Sequence, residues 1–242
     1  MDQDGRASPG AVGDGLAEQA RLQTVYRGYD SDPRYKRIWS GAAARFELEH
    51  KWKEIARVLG EEGVRVETGR LLDLGAGGGA DCERFRRLGF RADRIVAVDL
   101  LAEFARGARA SHAWLASVQA DASRLPFRAG SFDLVYQSTM ISSVLDASWR
   151  KRILGEVDRV LAPGGLFLSY DTRYPNPWNR NTRPLTASEL RGAFTGALVK
   201  VRSTTPIPQL MRLFMRLSDA ACRALQKIPP FRSHLLAVIR KT

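Results

Sequence analysis

Cysteine and histidine are scarce in this chain of 242 residues, which holds two of the first and three of the second. Cys82 and Cys222 stand far apart, with no metal or redox spacing. That sets aside disulfide frameworks and dithiol chemistry and makes a reducing cytoplasm the default setting. Cys82 reads as packing. Long apolar stretches are missing too: none approaches the length of a membrane span, and the N-terminus lacks the hydrophobic core of a secretory signal. No internal repeat is visible. Acidic residues become rare toward the end, where Asp219 is the only one after Lys200.

The net charge is +12. A basic surplus of that size suits nucleic acid, an anionic membrane or an anionic substrate; it also suits a merely solvated surface. No aromatic-rich RNA-binding pattern and no added binding domain accompany it. A nucleic-acid partner is therefore not expected, while peripheral membrane association and the oligomeric state stay open. Hydrophobic residues make up 44% of the chain, enough for one α/β domain with additions.

What is present is most informative over residues 71–79. Leu71-Leu72-Asp73-Leu74 reads as a buried strand, and Gly75-Ala76-Gly77-Gly78-Gly79 as a tight turn into a helix from Ala80 to Leu88. Glycines let a backbone turn tightly and lie close to a flat ligand. A second strand, Arg94 to Asp99, ends in a carboxylate placed to accept from ribose hydroxyls. A third, around Trp114 to Ala120, ends in Asp121-Ala122. Leu125-Pro126-Phe127 and a fourth strand, Ser131 to Gln137, follow. A helix from Ala147 to Leu161 leads through Pro163-Gly164-Gly165 to a fifth strand, Leu166 to Tyr170. Asp73, Asp99 and Asp121 could each simply cap a turn or helix. Together, at the carboxyl ends of parallel strands, they point to a ligand crossing that edge. A nicotinamide-dependent dehydrogenase would use Gly75, Gly77 and Asp99 but leave Asp121-Ala122 and Pro163-Gly164-Gly165 without a role.

These ordered motifs, from about residue 70 to 171, resemble class I S-adenosylmethionine (SAM)-dependent methyltransferases, in the subgroup with Asp-Ala, Leu-Pro-Phe and Ser-Phe-Asp motifs. The resemblance implies an α/β, Rossmann-like, seven-stranded, mostly parallel sheet. Its last strand would be antiparallel, with helices on both faces. It implies SAM as cofactor, Gly75, Ala76 and Gly77 against its amino-acid half, and Asp73 holding the loop. Asp99 would take the ribose diol, Leu100 the adenine face, Asp121 and Ala122 the adenine edge, and Gln137 the methionine part. No metal is implied. The expected activity is methyl transfer to a small molecule, at oxygen before nitrogen, such as a secondary metabolite, quinone or sugar. An RNA or protein methyltransferase and a non-catalytic SAM-binding protein are the alternatives. The absence of Asn-Pro-Pro-Tyr after the fourth strand argues against methylation of the adenine or glutamine amino group.

Around this core, residues 1–15 are expected to be disordered, and 16–62 to form a helical lid. Residues 63–242 are expected to form the methyltransferase domain, with a helical insertion over 207–228. The lid reads as a short helix from Leu16 to Tyr29 and a longer one from Arg34 to Gly60, with Tyr26, Tyr29, Tyr35 and Trp39 as an aromatic cluster. Thr186 and Glu189 form a capping box that opens a helix ending near Phe194. Leu198 to Ser203 reads as the sixth strand and His234 to Arg240 as the last. In the insertion Leu210, Met211, Phe214, Leu217, Ala221 and Leu225 recur at helical spacing. They form either a buried face or a surface for a hydrophobic partner. For the acceptor, Tyr170 and Asp171 are the catalytic candidates, with Asp171 as proton acceptor or as a cap of the loop after it. His112 and His234 are set aside by their places in the chain, and His50 is read as a surface residue.

Overall fold

The computed structural model describes residues 9–33, 40–176, 179–207, 211 and 228–242. Seven strands form one sheet: β1 (Leu71–Leu74), β2 (Ile95–Asp99), β3 (Ala116–Gln119), β4 (Phe132–Ser138), β5 (Leu161–Thr172), β6 (Leu198–Pro206) and β7 (Arg232–Arg240). Their order is β3-β2-β1-β4-β5-β7-β6, and β7 runs antiparallel to both of its neighbours. The helices are α1 (Pro9–Ser31), α2 (Ala42–Glu61), α3 (Ala80–Arg87), α4 (Ala102–Ser111), α5 (Ala147–Val160) and α6 (Ala187–Ala193). This is the expected α/β architecture.

The central strands are continuous apolar runs because both sheet faces are covered. All four residues of β1 are buried. Alternate residues face opposite sides. Leu72, Leu74, Val135, Phe167 and Ile239 pack with Trp149, Ile153 and Val157 of α5. Leu71, Leu134, Tyr136, Leu168 and Val238 pack on the other side with Ile55 and Val58 of α2 and Phe85 of α3. Burying each such Leu or Ile contributes roughly 1.5–3 kcal/mol. The chain steps outward from β1 to β2 and β3, then returns to place β4 on the other side of β1. That reversal opens a crevice outside the carboxyl ends of β1 and β4, the usual ligand position in an open α/β sheet.

Several element boundaries differ from expectation. Helix α1 begins at Pro9, so it takes in part of the stretch expected to lack structure. The second leading helix begins at Ala42 behind Gly41, whose φ is +94°. Its expected start at Arg34, together with Tyr35 and Trp39, lies outside the described residues. So does most of the 207–228 insertion, including Leu210, Phe214, Leu217, Ala221, Cys222 and Leu225; Met211 is buried. Strand β5 starts earlier than expected, at Leu161. It is shifted against β4 between Phe132 and Leu134, where the glycines after Pro163 fall. The capping box is present, with the Thr186 hydroxyl accepting from the Glu189 N–H and Glu189 accepting from the Thr186 N–H.

Helix α5, which carries Trp149 to the crevice, is fixed to the chain before α6 by Arg150. This guanidinium is buried, donates to the carbonyls of Arg183 and Pro184 at 3.1 Å each and pairs with Glu189 at 3.2 Å. Arg150→Met keeps the volume and removes the donors. Breaking a fully buried pair costs roughly 3–5 kcal/mol; here the expected loss is about 2 kcal/mol, because Arg183 still neutralises Glu189. Urea unfolding measures it, and an unchanged midpoint would show that the network adds nothing.

Candidate active site

The glycine turn is held against the end of β2. The N–H groups of Gly75 and Ala76 both donate to the carbonyl of Val98, at 2.8 and 3.1 Å. Gly75 has φ +70°, and a Cβ there would fall 2.5 Å from the Cγ of Met140. Only glycine permits this conformation and this closeness. Gly77, at φ +52°, donates its N–H to Asp99 Oδ2 at 2.9 Å.

A cavity of about 190 Å³ lies over this turn. Gly75, Gly77, Asp99, Leu100, Asp121 and Ala122 line it, as do Phe104 of α4, Ser138 and Met140 after β4, and Trp149 and Ile153 of α5. Leu22 and Tyr26 of α1 line it as well. Asp99 is largely buried; Oδ1 accepts from the Leu101 N–H at 2.9 Å, and burial raises its pKa above the usual carboxylate range. Asp121 Oδ1 accepts from the Ser123 N–H at 2.7 Å and Trp149 Nε1 at 3.2 Å, and its Oδ2 accepts from Gln19 Nε2 at 3.3 Å. Helix α1 is pinned over the cavity by further polar contacts. Glu18 accepts from the Leu145 N–H at 2.6 Å, and the Tyr26 hydroxyl meets Ser143 Oγ at 2.9 Å.

Other expected site residues lie elsewhere. Ala76 is half-buried in the turn and does not line the cavity. Asp73 is buried beneath the turn, where Cys82 Sγ donates to it at 3.2 Å. Burial first, and then Asp81, push its pKa up to about 8. Gln137 is fully buried. Its amide nitrogen donates to Ser169 Oγ at 2.5 Å and Asp171 Oδ2 at 3.1 Å, and its oxygen accepts from the Met140 N–H at 2.9 Å.

The acceptor candidates need correction. Strand β5 runs on to Thr172, so Asp171 sits within the sheet and not at its mouth. Its Oδ1 accepts from the Thr172 N–H at 2.7 Å, and its Oδ2 accepts from the Ser142 N–H at 3.0 Å as well as from Gln137. This carboxylate ties β4 to β5 and does not line the cavity. Tyr170 donates to Thr205 Oγ1 at 2.8 Å, and burial raises its pKa. His234 begins a strand that is antiparallel, and this brings it to the carboxyl edge after all. It pairs in register with Thr172 and stacks on Tyr170 with centroids 4.7 Å apart. Burial lowers its pKa to about 4, so it is neutral at pH 7. His50 is half-buried, and burial lowers its pKa as well.

Sequence reasoning singled out Tyr26 only as part of an aromatic cluster, and it missed Gln19 and Leu22 of α1 and Lys51 of α2. The spacing of Glu18, Leu22 and Tyr26 along one helical face was a usable signal for the first group. Among the described residues, no group of three or more His, Cys, Asp or Glu side chains could hold a metal ion. No described helix is long and apolar enough to cross a membrane.

Residues 72–169 match the methyltransferase domain family. A malonyl-[acyl-carrier protein] O-methyltransferase of Halorhodospira halophila is 32% identical over 167 residues, 66% of this chain and 51% of that protein. A fatty-acid O-methyltransferase of Mycolicibacterium smegmatis is 37% identical over 122 residues, 48% of this chain and 42% of that protein. The chain spans about half the length of the curated relatives it matches. A solved SAM-dependent methyltransferase of Mesorhizobium loti superposes with a TM-score of 0.56 at 19% identity, covering 76% of this chain and 96% of that one. At that identity the likeness shows the fold. SAM is the cofactor that the domain family and this fold imply. The cavity fits it: two carboxylates at the carboxyl ends of β2 and β3, apolar walls between them, and a glycine turn with open space beside Gly77.

The state of Asp73 has a measurable consequence. Its folded pKa of about 8 lies above the ordinary 3.8, so the native protein holds a proton that the unfolded chain releases between those values. Asp73 therefore costs stability increasingly as pH rises from 4 to 8. Asp73→Asn keeps the shape without titrating. It should raise the melting temperature much more at pH 8 than at pH 5; an equal response at both would show that Asp73 ionises normally.

Proposed function

We propose that this chain is a cytoplasmic enzyme that transfers a methyl group from SAM to a small-molecule acceptor, at oxygen. The observation that carries the reading is the placing of Gly75, Gly77, Asp99 and Asp121 around one cavity at the point where the strand order reverses. SAM, when bound, supplies an electrophilic methyl group on a sulfonium. Asp99 would accept from the ribose hydroxyls while keeping the turn through Gly77. Leu100, Phe104 and Ile153 would enclose the adenine, with Asp121 at its edge. Gly75 and Gly77 would let the backbone lie against the amino-acid half.

The protein's part in the transfer is then orientation. Holding a nucleophile close to and in line with the reacting carbon can lower a barrier by several kcal/mol, up to roughly 7–11 kcal/mol in the best intramolecular cases. Asp171 is engaged on both oxygens and lines no part of the cavity. That favours an acceptor already deprotonated at neutral pH, and a carboxylate is the simplest oxygen nucleophile of that kind. The fatty-acid O-methyltransferase and the malonyl-carrier O-methyltransferase among the relatives accord with this choice.

Thermal-shift titration tests the cofactor. SAM and its demethylated product should raise the melting temperature, and NAD should not; stabilisation by NAD alone would overturn the reading. Asp99→Ala should weaken SAM binding by about 1.5–3 kcal/mol, the range for hydrogen bonds to a charged group. Calorimetry measures this, and unchanged affinity would take Asp99 out of the site.

A further inference from the structure

At the β4 end of the crevice the ammonium of Lys51, on α2, is drawn into the protein. The residue is 7% exposed. Nζ donates to Asp81 Oδ2 at 2.7 Å and to Ser138 Oγ at 2.9 Å. The same Asp81 oxygen accepts from the Tyr136 hydroxyl at 2.8 Å. Nζ also lies 5.0 Å from the centroid of the Tyr170 ring and 5.6 Å from those of Trp52 and Tyr136. The charge is thus held in one place by a carboxylate, a hydroxyl and three ring faces.

A brace between two helices would need only the pair with Asp81. Three features go beyond that. An ammonium has three N–H groups, and among the described residues two of them have acceptors. Ser138, the second acceptor, lines the cavity, so the ammonium stands directly behind the cavity wall. Asp73, the other acid under the turn, is pushed by burial toward its protonated form, and among the described residues its side-chain hydrogen bond is with Cys82, not with Lys51. Along the sheet edge the order is Asp121, Asp99, the glycine turn, Ser138. The two carboxylates that line the cavity stand at one end of the crevice, and the Lys51–Asp81 pair at the other.

We propose that Lys51 is the anchor for a ligand carboxylate at the Ser138 end of the cavity. The proposal rests on the reading of the cavity as a SAM site. Two ligands could bring that carboxylate: SAM, on its amino-acid half, or an acceptor acid. Asp81, Tyr136 and Tyr170 would act as positioning residues, fixing the ammonium without touching the ligand.

Calorimetry on the full chain distinguishes the sources. The first arm compares S-adenosylhomocysteine with 5′-methylthioadenosine, the same nucleoside thioether without the amino-acid carboxylate. The second arm compares dodecanoate with dodecanol on protein saturated with S-adenosylhomocysteine. Each is run on the wild type, Lys51→Met and Lys51→Arg. If the carboxylate is the cofactor's, Lys51→Met should weaken S-adenosylhomocysteine about tenfold or more, the scale of a lost charged hydrogen bond. Methylthioadenosine should change little, and Lys51→Arg should keep most of the affinity. If it is the acceptor's, both nucleosides should bind Lys51→Met as before, and the wild-type preference for dodecanoate should vanish. Equal weakening of both nucleosides would overturn the proposal and leave Lys51 as a brace between α2 and α3. No change in either arm would overturn it as well. Should Lys51→Met not fold, the wild type alone decides: indifference to the carboxylate in both pairs refutes the anchor. A wild type that binds neither nucleoside takes down the reading of the cavity itself, and the anchor with it.

Discussion

The carboxyl edge of the sheet depends on one close approach, that of the Gly75 backbone to the Met140 side chain. A Cβ at position 75 would overlap Met140, at 2.5 and 2.7 Å from two of its carbons. The turn after β1 and the loop after β4 can therefore come together only over a glycine. The approach sets the depth of the crevice at the strand reversal. It also brings Gly75, Ser138 and Met140 together in the wall of one cavity. The Val98 carbonyl, accepting from both Gly75 and Ala76, holds the turn from the β2 side. The cavity is thus framed by backbone contacts that few substitutions could reproduce.

Beneath that frame lies a row of buried polar groups. Asp73 on β1, Gln137 on β4, and Ser169 and Asp171 on β5 are all nearly inaccessible. Buried polar atoms are costly unless paired. Here Gln137 spans Ser169 and Asp171, and Asp171 takes the N–H of Ser142 beyond the β4 end. Gln137, Ser169 and Asp171 bind the ends of β4 and β5 together. Two of the residues that seemed fit for ligand contact serve this purpose, and the surfaces offered to a ligand are the residues just beyond them.

Much of this was legible in the residues alone, for a physical reason. Glycines and acids at the ends of apolar strands, in a fixed order, admit few alternatives, so Gly75, Gly77, Asp99, Leu100, Asp121 and Ala122 were brought to one cavity. The same reasoning failed at Asp171, because a polar residue near a strand end reads alike whether it meets a ligand or ties two strands. His234 was misplaced by direction. The start of a parallel strand lies far from the ligand edge, but the start of an antiparallel one lies on it. Lys51 sits in a polar run, His50-Lys51-Trp52-Lys53-Glu54, that looks like a solvated helix face. Only the packing of α2 on the Tyr136 and Tyr170 side of the sheet draws its ammonium inward.

The cover over the cavity is of a different character from its floor. Among the described side chains of helix α1, Leu22 is buried, whereas Leu16 lies exposed. Its attachment is mostly polar: Glu18 to the Leu145 N–H, Arg21 to the Ser143 carbonyl, Gln19 to Asp121 and Tyr26 to Ser143. A net hydrogen bond contributes only about 0.5–1.5 kcal/mol, because water replaces what is lost when it breaks. An apolar helix face of the same length would be far harder to lift. The floor, built from buried strands and one glycine contact, is therefore the fixed part of the site. The cover is held by contacts that water can exchange for its own, and one of them, Gln19 on Asp121, engages a carboxylate of the cavity wall directly. Removing the cover would free that carboxylate and leave the floor intact, so the physical division between the two follows the division between polar and apolar attachment.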